Sequence, residues 1–189
     1  MIPFLPPPQE MHYTGEAFRP SGREQIFFSP WKGEDATEEV LRAALKPFGL
    51  ARAEVQATLP KSDGATLSIA GNLAVAKKLA RRVMAGLDEK VSTPTICHDG
   101  PCFPDETTHA RRAAALLKPE HSNEEYSLHI TAEGIAIAGR SRRALFWGVQ
   151  TLCQVLEYCR CEKLQSVPGL LVRDCPTQQM RGRHLDMKY

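Results

Sequence analysis

The apolar positions of this chain change period several times, and each change marks an element. In EEYSLHI, residues 124–130, Tyr126, Leu128 and Ile130 alternate with polar neighbours and share one face; AEG turns the chain, and IAIAG sends Ile135 and Ile137 back. Alternation, turn and alternation predict an antiparallel hairpin. The period then lengthens. In SRRALFWGVQTLCQVLEYC, Leu145, Val149, Leu152 and Leu156 recur at i, i+4, i+7 and i+11, Phe146 and Cys153 widen the stripe, and Ser141 is placed to cap the first turn. This pattern predicts a long helix. Gly148 in its middle disfavours the helix by about 1 kcal/mol relative to Ala, which predicts a backbone pressed closely against the sheet there.

Further elements are predicted upstream. EDATEEVLRAALKPFGL places Val40, Leu41, Ala44 and Leu45 on one helical face, offers Asp35 or Thr37 as a cap, and ends at Pro47 and Gly49. NLAVAKKLARRVMAGL, residues 72–87, sets Leu73, Ala76, Leu79, Ala80, Val83 and Leu87 at helical spacing, a stripe read as core packing. EQIFFSPW is β-prone and stops at Pro30. AEVQATL and ATLSIAG, separated by the turn signal KSDG, predict a second hairpin. The opening FLPPPQEMHYTGEAFRPSG predicts an extended lead-in with short strand pairing at Met11 to Tyr13. Residues 88–106, broken by prolines and a glycine, read as an irregular loop with room for one brief strand. HARRAAALLKPE has helical composition cut short by Pro119, and its state stays open. After SVPG, LLVRD reads as a strand, CPTQQ as a loop, and MRGRHLD as another strand.

Composition narrows the function classes. The chain has 189 residues and 42% hydrophobic content, enough to bury a core in one domain with a short piece of a second. Its 24 Lys and Arg against 22 Asp and Glu leave a formal charge of +2, without the concentrated basic face that tracks phosphates, so no nucleic-acid partner is expected. The knot of Arg140, Arg142 and Arg143 is read as solvated residues at a helix start. No apolar stretch approaches the roughly 20 residues that span a bilayer, so no membrane partner is expected either. The start MIPFLPPPQE lacks a basic n-region and is broken by Pro3, Pro6, Pro7 and Pro8; as written, the sequence reads as cytoplasmic, with export of a longer precursor left open.

The cysteines Cys97, Cys102, Cys153, Cys159, Cys161 and Cys175 follow no common zinc-ligand spacing. CHDGPC, with Cys97, His98 and Cys102, is the one metal candidate, and unpaired thiols outweigh it. No metal and no cofactor are expected.

The order EEYSLHI, GIAIAG, ALFWGVQTLCQVL and VPGLLVRDCPTQQMRGRHLD resembles glycoside hydrolase family 20, the β-N-acetylhexosaminidases, and IPFLPPPQEMHYTGEAF is similar to that family's P-x-P…G-x-F opening. The most specific parts are the GVQTL-x-Q helix, Gly148 to Gln154, and the RG-x-x-LD strand, Arg181 to Asp186. The resemblance implies an α+β accessory domain over residues 1–173, a mixed or antiparallel sheet with helices packed on one face. It further implies that residues 174–189 are a linker and the first strand of a (β/α)8 catalytic barrel. Residues 175–189 are all that follow Asp174, whereas such a barrel takes about 250 residues. The barrel is therefore expected to be largely absent from this chain, and the 189 residues inactive by themselves. A barrel strand without neighbours is expected to be poorly ordered, or docked incidentally on the accessory domain.

The family's chemistry, as the resemblance implies it, uses the substrate's own 2-acetamido oxygen as nucleophile, with an Asp–Glu pair that orients that group and protonates the leaving oxygen. The resemblance places the pair on the fourth barrel strand, beyond Tyr189, so no catalytic residue is expected within this chain. Asp88–Glu89 and Asp105–Glu106 are read as solvated charges. Arg181 matches the first-strand arginine that binds sugar hydroxyls, a task suited to the paired donors of a guanidinium; its alternative is an ion pair with a barrel carboxylate. Asp186 is read as structural, and His184, three positions from Arg181 on a strand, points to the opposite side and has no role. The sequence departs from the family's LD-x-x-R-H continuation, since Tyr189 stands where the arginine falls, which bears on the substrate. The implied partners are an amino-sugar glycoside, bound through the missing barrel, and the barrel itself. A free-standing α+β module that binds protein or carbohydrate, or the leading domain of another glycosidase such as an α-glucuronidase, are the rival readings. An Asp–Glu pair farther along the reading frame distinguishes them.

Overall fold

Ile135 and Ile137 point one way from their strand and Ala136 and Ala138 the other, and that difference in size organises the domain. A computed structural model describes residues 2, 4, 8–29, 36–48, 55–56, 64–88 and 123–175. Its strands are β1 (Glu10–Phe18), β2 (Gln25–Phe28), β3 (Val55–Gln56), β4 (Ala65–Ala70), β5 (Tyr126–Thr131), β6 (Gly134–Gly139) and β7 (Val167–Asp174). The helices are α1 (Ala36–Leu45), extended by a 3-10 turn at Lys46–Phe48, α2 (Leu73–Asp88) and α3 (Arg142–Cys161). All the strands join one sheet in the order β1-β7-β5-β6-β4-β2-β3, antiparallel throughout except where β3 pairs in parallel with β2.

The α+β class agrees with what the resemblance implies, but the helices do not share one face. On the first face Leu67, Ile69, Leu128, Ile130, Ile135, Ile137, Leu170 and Val172 form a floor of branched side chains under α3, with α1 beside it contributing Leu41 and Leu45. On the second face β4 and β6 present small residues, and α2 packs its Ala76, Leu79, Ala80 and Val83 against Phe27, Ala70, Ala136 and Ala138. The Ser68 hydroxyl donates to the Ala76 carbonyl of α2 across that interface at 3.3 Å. β4 and β6 are consequently buried along their whole length, as strands covered on both faces must be.

Several expected elements form where the periodicity places them. Ser141 caps α3, its hydroxyl oxygen accepting from the Ala144 amide at 3.2 Å. Gly148 lies against the sheet so closely that a Cβ there would collide with Ile137 Cγ2 and approach Tyr126 Cδ2 to 3.1 Å. The hairpin over 124–139 is β5 and β6, with Ile130 opposite Ile135.

Other expectations need correction. AEVQATL and ATLSIAG do not pair, because β2 lies between β3 and β4. Ile26 and Phe28 of β2 enter the core of the first face and Phe27 that of the second; a strand apolar on both faces gains most from an interior position, which leaves β3 at the edge. β1 runs from Glu10 to Phe18 rather than Met11 to Tyr13, and its pairing with β7 breaks register between Tyr13 and Ala17, where Gly15 takes a positive φ of 76°. β7 already begins at Val167, taking in Pro168 and Gly169. α1 starts at Ala36, so Thr37 lies inside the helix. The undecided segment 109–120, the loop over 89–106, and the expected barrel strand at 180–189 all lie outside the described residues.

Candidate functional site

β1, β7 and β5 carry polar side chains on the α2 side, and α2 covers only part of them. Register aligns them in two rows. His12 of β1 stands opposite Leu171 of β7, which stands opposite His129 of β5; two residues along, Glu10, Arg173 and Ser127 form the next row. With Arg82, Ala85 and Gly86 of α2 as a wall, these residues enclose a cleft of about 420 Å³. His12 and His129 sit two strand spacings apart, roughly 10 Å.

The environment of each side chain follows from this placement. Gly86 gives His129 its room, since a Cβ there would stand 3.3 Å from His129 Nε2. Burial, and then the Arg82 guanidinium, pull the His129 pKa down to about 4, so the ring is neutral near pH 7. Its Nδ1 is buried with no hydrogen-bond partner among the described residues. The Ser127 hydroxyl donates to the Val172 carbonyl at 3.2 Å.

The end of α2 is clamped beside the cleft. The Leu87 carbonyl accepts from Arg140 Nη2 at 2.5 Å and from Arg173 Nη2 at 3.3 Å, so cations meet the negative end of the helix. Both arginines pair with Glu125, Arg173 through Nε at 2.8 Å and Arg140 through Nε at 3.6 Å. The reading of Arg140 as a solvated residue is thereby corrected, because it bridges two elements; Arg142 and Arg143 are exposed as expected.

A second polar cluster lies where β7 ends. The Tyr126 hydroxyl shares a 2.6 Å hydrogen bond with Thr151 of α3 and donates to Asp174 Oδ2 at 3.3 Å. Burial, and then the Asp174 charge, push the Tyr126 pKa above its ordinary value. Gln9 holds the same corner, its amide donating to Asp174 Oδ1 at 3.2 Å and its side-chain nitrogen to the Cys175 carbonyl at 2.7 Å. The GVQTL-x-Q segment thus has a physical role here: Gly148 admits the sheet and Thr151 ties α3 to Tyr126.

Cys153, Cys159, Cys161 and Cys175 are free thiols. Burial raises the first two and, before the charges of Asp174 and Glu125, Cys175 as well, each to about 11. Among the described residues no three His, Cys, Asp or Glu side chains converge as metal ligands, and no helix is long and apolar enough to cross a membrane. Cys97, His98, Cys102, Glu89, Asp105, Glu106, Arg181, His184, Asp186 and Tyr189 lie outside the described residues; Asp88 is the last residue of α2. The His12, Leu171, His129 row escaped sequence reading because its alignment depends on strands from opposite ends of the chain meeting in register.

No curated protein matches the chain. The family model for glycosyl hydrolase family 20, domain 2, matches residues 1–175, which takes in every described element from β1 to β7. The chain belongs to glycosyl hydrolase family 20, with residues 1–175 as its domain 2.

Proposed function

We propose that this chain is the leading accessory domain of a β-N-acetylhexosaminidase-like hydrolase that removes terminal GlcNAc or GalNAc by substrate-assisted hydrolysis. The single observation that carries this reading is the match to the family's domain 2 over residues 1–175, followed at 180–186 by MRGRHLD. In this reading residues 174–189 lead into the barrel, Arg181 offers paired donors to sugar hydroxyls, and the Asp–Glu pair belongs to the barrel. The accessory domain covers apolar surface of its neighbour and stabilises it.

The test is a longer protein in which this chain precedes its barrel. It should hydrolyse a chromogenic N-acetyl-β-glucosaminide and leave a chromogenic α-glucuronide intact. Arg181→Met should lower kcat/KM about 10- to 100-fold, as expected when one or two hydrogen bonds from a charged donor are lost. Cleavage of the glucuronide alone would instead favour the α-glucuronidase-type relative, and an Arg181→Met enzyme with unchanged kcat/KM would leave that residue structural.

A further inference from the structure

We propose that the cleft between α2 and the β1-β7-β5 part of the sheet binds a neutral saccharide, with Leu171 as its floor and His12, His129, Glu10 and Arg82 as its polar rim. The argument begins with what the cleft offers. At about 420 Å³ it falls inside the roughly 300–1,000 Å³ range of small-molecule sites. Leu171 lies between two imidazoles in one cross-strand row, so an apolar patch is flanked by flat polar groups, and the C–H face of a pyranose ring can rest on it.

Charge then selects among ligands. Glu10 supplies acceptors and Arg82 donors on the walls of the same cleft. An anion would meet the Glu10 carboxylate and a cation the Arg82 guanidinium, whereas hydroxyls both donate and accept and satisfy the two together. Arg173 stands between Glu10 and Ser127 in the sheet, with its charge already engaged by Glu125. His129 Nδ1 is itself buried, so the contacts to a ligand fall to the exposed His12 and Arg82 and the half-buried Glu10.

The role proposed for this cleft is to hold a glycan, not to cleave it. Only the choice of an N-acetylated probe rests on the proposed function. The experiment is a titration of the isotopically labelled 189-residue chain, followed by amide and imidazole NMR signals. N,N′-diacetylchitobiose, cellobiose and inorganic phosphate are added separately to concentrations on the order of 10 mM, a range that detects weak binding.

A disaccharide should produce saturable shifts centred on His12, Arg82, His129 and Leu171, and phosphate none. Arg82→Ala and His12→Ala, both at exposed positions, should keep a dispersed spectrum while weakening disaccharide binding at least tenfold when combined. Binding of cellobiose alone would support the cleft as a saccharide site while separating it from the amino-sugar reading of the enzyme. Shifts with phosphate only, shifts away from these residues, no saturable shift with either sugar, or undiminished affinity in the double variant would each overturn the proposal.

Discussion

His129 shows how one side chain couples the fold to pH. Its pKa in the folded chain, about 4, lies below the value near 6.5 of a solvated imidazole. Between those two values the unfolded chain binds a proton that the folded chain refuses, so this residue's contribution to stability falls as pH drops from about 6.5 towards 4. Arg82 adds its charge to the burial effect, while His12, Glu10 and Arg173 line the same cleft. His129→Gln should remove this pH dependence. Denaturant melts at about pH 7 and about pH 5 should show the native chain losing more stability than the variant, and parallel losses would contradict the assignment. Gly148 makes a different point, since its absent side chain is what lets α3 seat on Ile137 and Tyr126. Gly148→Ala gains about 1 kcal/mol of helix propensity but overpacks an interface where added carbons cost about 1–3 kcal/mol. With a collision against a β-branched side chain the overpacking dominates, and the variant should unfold at lower denaturant, by about 1 kcal/mol.

Among the elements, the end of α2 depends on its neighbours, because its Leu87 carbonyl accepts from Arg173 of β7 and from Arg140, just before the cap of α3. Glu125 holds both arginines in place, with 14% of its side chain exposed. Breaking a fully buried ion pair costs about 3–5 kcal/mol, and this partly solvated one should cost less, about 2 kcal/mol. Glu125→Gln should therefore lower stability by that amount and speed hydrogen exchange in the last turn of α2 relative to α3. Equal protection of α2 in both proteins would show the clamp to be idle. The helices themselves were legible in the sequence because their stripes are local. The sidedness of α2 was not, although β6 held a trace of it in GIAIAG, where large and small apolar residues alternate instead of apolar and polar. Pairing of neighbours misled at β3, where β2 with Ile26, Phe27 and Phe28 claims the interior position beside β4.

At the scale of the whole molecule, the sheet joins the two ends of the described chain. β1 and β7 pair at one edge, and Gln9, Tyr126, Thr151 and Asp174 fix the corner at which residue 175 is reached. The family was readable from short local segments, GVQTL-x-Q above all, and the match over residues 1–175 agrees with it. The cleft was not readable, since its rim draws on β1, α2, β5 and β7 and exists only after they assemble. In the proposed function, the reacting groups of the hydrolase lie in the barrel and not in this domain. The most direct measurement is the rate at which the purified 189-residue chain releases chromophore from an N-acetyl-β-glucosaminide. Release indistinguishable from buffer is the predicted result, and turnover that follows the concentration of the chain through purification would contradict it.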